Sequence, residues 1–332
     1  MFQVAPQPAA FQPAPHHRKP SSSLRPRTHD HHHRERERAH DHAAPLAPPA
    51  IKLPRTLARP PFADIARDAL AAAAPDLAAV PADFIRHGLR ATAPAMLAGI
   101  AALAPSHVPQ ALPRSRLPSA LSVPLRAHAP GTPHPPLPTH IVAVSAAAKS
   151  SKDEMDGPTR LFPMHAVVLA AHCTKLTRLP PSSSSSRASV SLPVIQLPLP
   201  SPPAFAILHS WMYTGRLDAA LSALLPVPSS FLERLAAAQS STPSTPGSAP
   251  DPAHAFLAST LSSRTAQHAL AAHLCAAASG NLTTLMEHAG HVKELWQDMV
   301  ALGVCDPGLW AALDVAWETV LGAMNLAAHP AQ

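Results

Sequence analysis

Apolar residues fall at helical spacing in two regions of the chain, and between them lies a stretch of short β-branched runs and helix-like blocks. The carboxyl-terminal region is the clearest. From Ala253 to His329 the sole proline is Pro307, and three helices are predicted there. Thr265 opens the first, which carries Leu270 and Leu274 and stops near Gly280. Asn281 precedes the second, whose stripe is Leu282, Leu285, Met286, Val292, Leu295, Trp296, Met299 and Leu302, ending at Gly303. Asp306-Pro307 starts the third, because aspartate accepts from the orphan amides of a first turn and proline fits the first position. Its stripe is Leu309, Leu313, Trp317, Val320, Leu321 and Met324. Such stripes have to cover one another, so 253–328 reads as an antiparallel helical bundle.

The amino-terminal helical segment, 61–105, is shorter. Phe62, Ile65, Ala69 and Leu70 share a stripe behind Pro61, Phe84, Ile85 and Leu89 make a second, and Pro94 opens a third with Met96, Leu97, Ile100 and Leu103. Residues 106–138 are too proline-dense for helix or central strand and read as a Pro-rich linker or an extended arm. Residues 236–252 read as a flexible linker, in which Thr242 and Thr245 each precede proline and are candidate phosphosites near Arg234 and Arg264. In residues 1–60, alternating Arg and Glu from Arg34 to Arg38 offer no apolar face, which predicts a disordered, basic, His-rich tail.

Composition supports this division. With 42 prolines, 11 glycines and 4% aromatic residues in 332, one large core throughout the chain is excluded. The net charge of +6 resides in residues 1–59, and the remainder is balanced. Such a tail attracts nucleic acid through phosphates, but Phe2 and Phe11 alone supply aromatics for stacking, so nucleic acid is only weakly suggested. Cys173, Cys275 and Cys305 form no CxxC pair, which disfavours a disulfide framework or zinc finger. The start of the chain lacks a signal-peptide core, and no apolar run reaches the roughly 20 residues that span a bilayer. These features predict a soluble intracellular protein that is not secreted and has no membrane partner.

The central region, 139–235, has a different order of signals. His140 to Val144 is a strand candidate, Leu161 to His165 leads into a helix with Val168, Leu169 and Leu176 inward, and Val194 to Leu197 is a second strand candidate. A further helix carries Phe205, Leu208 and Met212 and ends on Tyr213-Thr214-Gly215, where an aromatic closes the helix and glycine accepts the exit conformation. This arrangement resembles the BTB/POZ fold, whose motif positions match His165, Leu169, Phe205, Leu208, Tyr213, Thr214, Gly215 and Arg216. Cys173 stands where that family usually has serine, and Leu176 where it has phenylalanine. The resemblance implies a protein-interaction module with a homo-oligomer surface and, by fold analogy, a substrate adaptor for a cullin ligase.

A likeness over about 60–328 is carried by PADFIRHGLRATAPAML, HAVVLAAHCTKL, HSWMYTGRLD and HVKELWQDMVALGVCDPGLWAALDVAWETVLGAMNL. These blocks resemble the clampless-type proteins of basidiomycete fungi, and the resemblance implies a non-enzymatic developmental regulator, downstream of mating type, in clamp-cell formation and dikaryotic growth. The predicted fold class is α+β, mostly helical: a degenerate BTB/POZ-like module plus a C-terminal helical bundle, with long disordered Pro/Ala/His-rich segments. The function read from this is a protein-binding adaptor, nuclear in preference to cytoplasmic, whose partners are other proteins such as transcription regulators. The alternative is a nucleic-acid-associated regulatory protein held by its basic tail.

Catalytic and metal chemistry have little support in the sequence. No G-x-S-x-G, P-loop or G-x-G-x-x-G occurs, so no enzymatic activity and no cofactor is predicted. The cluster from His29 to His42 reads as a solvated tract, and His288 and His291, beside Glu287 and Glu294, read as an exposed polar face and not as zinc ligands. Cys173 and His172 are adjacent in a helix and point about 100° apart, which argues against a nucleophile pair. Of Trp296, Trp310 and Trp317, Trp310 lies off the main stripe and is the candidate partner-binding residue.

Overall fold

Five strands form one mixed sheet in the order β1-β4-β3-β5-β2, made from β1 (Ala111–Pro113), β2 (Ala120–Pro124), β3 (His140–Ala146), β4 (Pro158–Met164) and β5 (Ser189–Leu199). The computed structural model describes residues 53–126, 135–147, 157–176, 179–181, 188–241 and 251–329. The tail 1–52, the His29 to His42 cluster, Thr242 and Thr245 lie outside them. β3 is central, antiparallel to β4 and parallel to β5. Its side chains alternate between two apolar clusters: Val142 and Val144 join the large helix-side core, while Ile141 and Ala143 join a small cluster with Leu103, Val123, Leu161, Val190 and Leu192. A strand buried on both faces reads as a continuous apolar run, which is why His140 to Val144 is legible in the sequence.

Within 106–138 the two outer strands follow the extended-arm alternative and not the linker. The chain leaves the sheet edge at Leu103, crosses the small cluster through Val108, forms β1 against β4, and returns through Leu117 to form β2 against β5. The proline-rich composition is compatible with strand here because β1 and β2 are the edges, where a missing amide leaves no ladder bond unmade.

Ten α-helices are described: α1 (Arg67–Ala73), α2 (Ala82–Ala101), α3 (Ala166–His172), α4 (Pro202–Thr214), α5 (Leu217–Leu224), α6 (Ser229–Ser240), α7 (Pro252–Ser262), α8 (Arg264–Ala277), α9 (Leu282–Leu302) and α10 (Pro307–Ala328). The protein is therefore α+β and mostly helical. The stripes predicted on either side of Pro94 form the single helix α2, with Pro94 inside it. The cap signals of the last helices are in place: Asn281 accepts from Thr283 and Thr284, α9 ends on Gly303, and Asp306 Oδ1 accepts from Leu309 N–H at 2.8 Å. α8 is capped two residues earlier than expected, by Ser263, whose hydroxyl accepts from the Ala266 N–H.

Residues 53–60 correct the boundary of the disordered tail. Leu57 is buried, Trp317 Nε1 donates to the Pro54 carbonyl at 3.2 Å, Trp296 Nε1 donates to the Ala58 carbonyl at 2.8 Å, and Arg59 pairs with Asp314. The strap seats on α9 and α10 because two indole N–H groups at the edge of the core need acceptors that the helices cannot supply. One helix-side core then runs from Leu57 through α3 and α4 to α10, so the amino-terminal helices, the central segment and the bundle share a single interior.

Candidate functional site

The motif residues of the central segment converge at the start of α3 and the end of α4. His165 is the residue before α3, and its main-chain N–H donates to the Tyr213 hydroxyl at 3.0 Å. That hydroxyl donates in turn to His165 Nδ1 at 2.9 Å, and Nε2–H donates to the Pro136 carbonyl at 3.1 Å. Because the carbonyl can only accept, the proton of the neutral ring sits on Nε2. Burial lowers the His165 pKa and raises that of Tyr213, so both are neutral. His209 lies beside Tyr213, its ring tilted and the centroids 5.2 Å apart, and donates to the Pro163 carbonyl at 3.2 Å. Leu169, Phe205 and Leu208 are buried around this cluster, while Thr214 is exposed and returns its hydroxyl to the Ser210 carbonyl.

Two glycines close the site by steric necessity. Gly215 ends α4 with φ +64°, and a Cβ there would lie 2.7 Å from Arg90 Nε. Gly99 lets α2 approach the Pro136 carbonyl, which a Cβ would meet at 1.7 Å. The same carbonyl that His165 requires is thus set by a glycine on a distant helix.

At the other end of α3 a second cluster joins the central segment to the bundle. The Arg86 Nε of α2 donates to the Ala171 carbonyl at 2.8 Å, and Arg90 lies 3.9 Å from Asp306. Cys173 bridges Val304 as an isolated antiparallel pair, and Thr174 and Lys175 donate their amides to Gly303 and Leu302. His172 is buried with its ring edge-on to Trp211, centroids 5.0 Å apart. Neither ring nitrogen of His172 makes a well-formed hydrogen bond, the Met212 main chain offering only an off-geometry contact, and Trp211 Nε1 has no partner among the described residues. Burial, reinforced by Arg86 and Arg90, depresses the His172 pKa to about 3. Burial also raises the Cys173 thiol, which keeps it from being a thiolate nucleophile.

A third buried polar group carried no sequence signal. Asp298 of α9 is fully buried, and its Oδ1 accepts from the Ser201 N–H at 2.9 Å at the start of α4. Glu294 accepts from the Ser201 hydroxyl at 2.8 Å. Burial raises the Asp298 pKa to about 7, with repulsion from Glu294 adding to it and the Ser201 amide opposing it. An aspartate one turn from a glutamate reads as an exposed face in sequence. Only the packing of α4 against α9 makes it interior.

Several sequence candidates are redistributed. Trp310, expected as an exposed anchor, has 0% of its surface accessible and donates Nε1–H to the Val304 carbonyl at 2.8 Å. α10 lies against α5, α7, α8 and α9, so a residue off its main stripe still meets a neighbour. His288 and His291 have ring centroids 6.4 Å apart, and among the described residues no group of three or more His, Cys, Asp or Glu side chains is placed to hold a metal. A cavity of about 320 Å³ is lined by Leu103, Val108, Leu161 and Pro163, with Gln110 and Arg126 as its polar members, and it brings no acid and base together. No described helix is long and apolar enough to cross a membrane.

Comparison with known proteins assigns most of the described residues to one family. The family model of the Clampless protein 1 N-terminal domain matches residues 60–200, and that of the Clampless protein 1 C-terminal domain matches residues 218–332. No curated protein and no solved structure matches the chain. The two matched segments meet where α2 and the end of α3 contact the α9–α10 turn, and with both present in order the chain belongs to the Clampless protein 1 family.

Proposed function

We propose that the protein is a non-catalytic regulator of fungal sexual development that works by binding other proteins, downstream of mating type in clamp-cell formation and dikaryotic growth. Family membership supports the developmental part. The observation that carries the non-catalytic part is the use of its buried polar groups: His165, Tyr213 and the Cys173 main chain hold elements together. The strand order around β3 and the His165–Tyr213 contact also support a BTB/POZ-like role for the central segment. Action in the nucleus is part of the same reading.

Compatible mating strains lacking the chain are expected to fail in clamp formation, and re-expression of the wild type or of Cys173→Ala is expected to restore it. Normal clamps in the deleted strain would overturn the developmental reading. Failure of a folded Cys173→Ala protein to restore them would overturn the non-catalytic one.

A further inference from the structure

The outer edge of β2 is an incomplete hydrogen-bonding ladder. Val194 N–H donates to the Ser119 carbonyl and Leu125 N–H donates to the Ala188 carbonyl, so in this antiparallel pair the odd-numbered residues of β2 bond to β5. The main chains of Ala120, Ser122, Pro124 and Arg126 therefore face outward. Two outer rungs are filled by the segment after α2: Ala104 N–H donates to the Pro124 carbonyl at 3.0 Å, and Arg126 N–H donates to the Ala102 carbonyl at 2.8 Å. The rungs at Ala120 and Ser122 have no main-chain partner among the described residues, and both residues are exposed.

The segment that makes this edge carries charge of one sign: from Ala104 to Arg126 it has Arg114, Arg116 and Arg126 and no acid, and none of the five strands contains an acid. Arg116 and Arg126 bracket the open rungs in the chain, both are exposed, and neither they nor Arg114 form an ion pair among the described residues.

We propose that the β2 edge at Ala120 and Ser122 accepts an extended acidic peptide of a partner protein as an added strand, a proposal that rests on the protein-binding reading above and names its partner chemistry. Main-chain groups alternating at strand spacing can be completed only by another peptide main chain, and the arginines select acidic over basic side chains. A nucleic acid would use the arginines and leave the rungs open.

The test is titration of the full chain with a fluorescent peptide of about eight residues that alternates Glu with Val. Binding is expected, weakened about tenfold or more by Ser122→Pro, by Arg116→Glu with Arg126→Glu, and by N-methylation of alternate peptide amides. Ser122→Pro removes only an outward amide, and Pro124 already occupies an equivalent outward position, so folding is retained. The methylated peptide tests the rungs without altering the protein. Equal binding of the methylated peptide, of a Lys-for-Glu peptide or by Ser122→Pro overturns the proposal, as does tighter binding of a single-stranded oligonucleotide that competes with the peptide. These outcomes leave the clamp-formation assay unaffected, so the two readings fail separately.

Discussion

The two faces of the sheet are built differently. On the helix side, both family-matched segments and the strap at Leu57 contribute to one core that contains Trp211, Trp310, Trp317, Phe205 and Tyr213. On the far side, a small aliphatic cluster drawn only from residues between Leu103 and Val194 is covered by the proline-rich excursion that forms β1 and β2. Regions with few buried apolar contacts open at lower free energy than a global core. The helix side accordingly is expected to dominate the stability of the described residues, and the far side to open first.

The largest expected effect is on the helix side. Trp310→Ala removes a fully buried indole that also donates to Val304, and should cost about 3–5 kcal/mol, seen as a large fall in Tm. A small change in Tm would restore Trp310 as a surface residue. Tyr213→Phe comes next, at about 1–3 kcal/mol, because it strands the buried His165 amide while keeping the ring in place. Chemical denaturation with an unchanged m-value would measure it, and a neutral result would show that the His165–Tyr213 contact holds nothing.

The pH dependence separates the buried groups. His140, His165, His172 and His209 are all lowered by burial, so below the ordinary value of 6.5 the unfolded chain takes up protons that the folded chain refuses. Their contribution is present above 6.5 and is lost as pH falls. Asp298 acts in the opposite direction, since the folded chain keeps its proton up to about 7 while the unfolded chain releases it near 3.8. That contribution is present at low pH and is lost as pH rises through 7. Asp298→Asn should therefore steepen the acid loss of stability between pH 4 and 6.5 and remove the decline approaching neutrality, measured as ΔG of unfolding against pH. An unchanged profile would place the Asp298 carboxyl in water.

On the far side, Val123→Ala should cost about 2 kcal/mol or less. Its effect should appear first as faster local opening of β2, whereas a loss as large as that of Trp310→Ala would merge the two faces into one cooperative core.

Legibility in the sequence follows the same division. α9, α10 and the end of α4 were readable because Asn281, Gly303, Asp306 and Gly215 satisfy helix ends locally. β3 was readable as a run buried on both faces. The strap at 53–60 was not, because its acceptors serve Trp296 and Trp317 more than two hundred residues away and leave no local pattern. Prolines that an edge tolerates hide β1 and β2, and the burial of Trp310 leaves no single stripe to read because α10 is enclosed by α5, α7, α8 and α9. Of the polar clusters, the His165 and Tyr213 positions were legible through their motif, whereas the burial of His172 and Asp298 depends on contacts between segments distant in the chain.

The central claim is that the two family-matched segments fold as one body on the helix side of the sheet. Native-state hydrogen exchange tests it most directly. The slowest amides of α2 and α3 and those of α9 and α10 should share one opening free energy equal to that of global unfolding, with the Ser122 amide exchanging far faster than those of Leu121 and Val123. Two distinct opening free energies, one for α2 and α3 and another for α9 and α10, would contradict it.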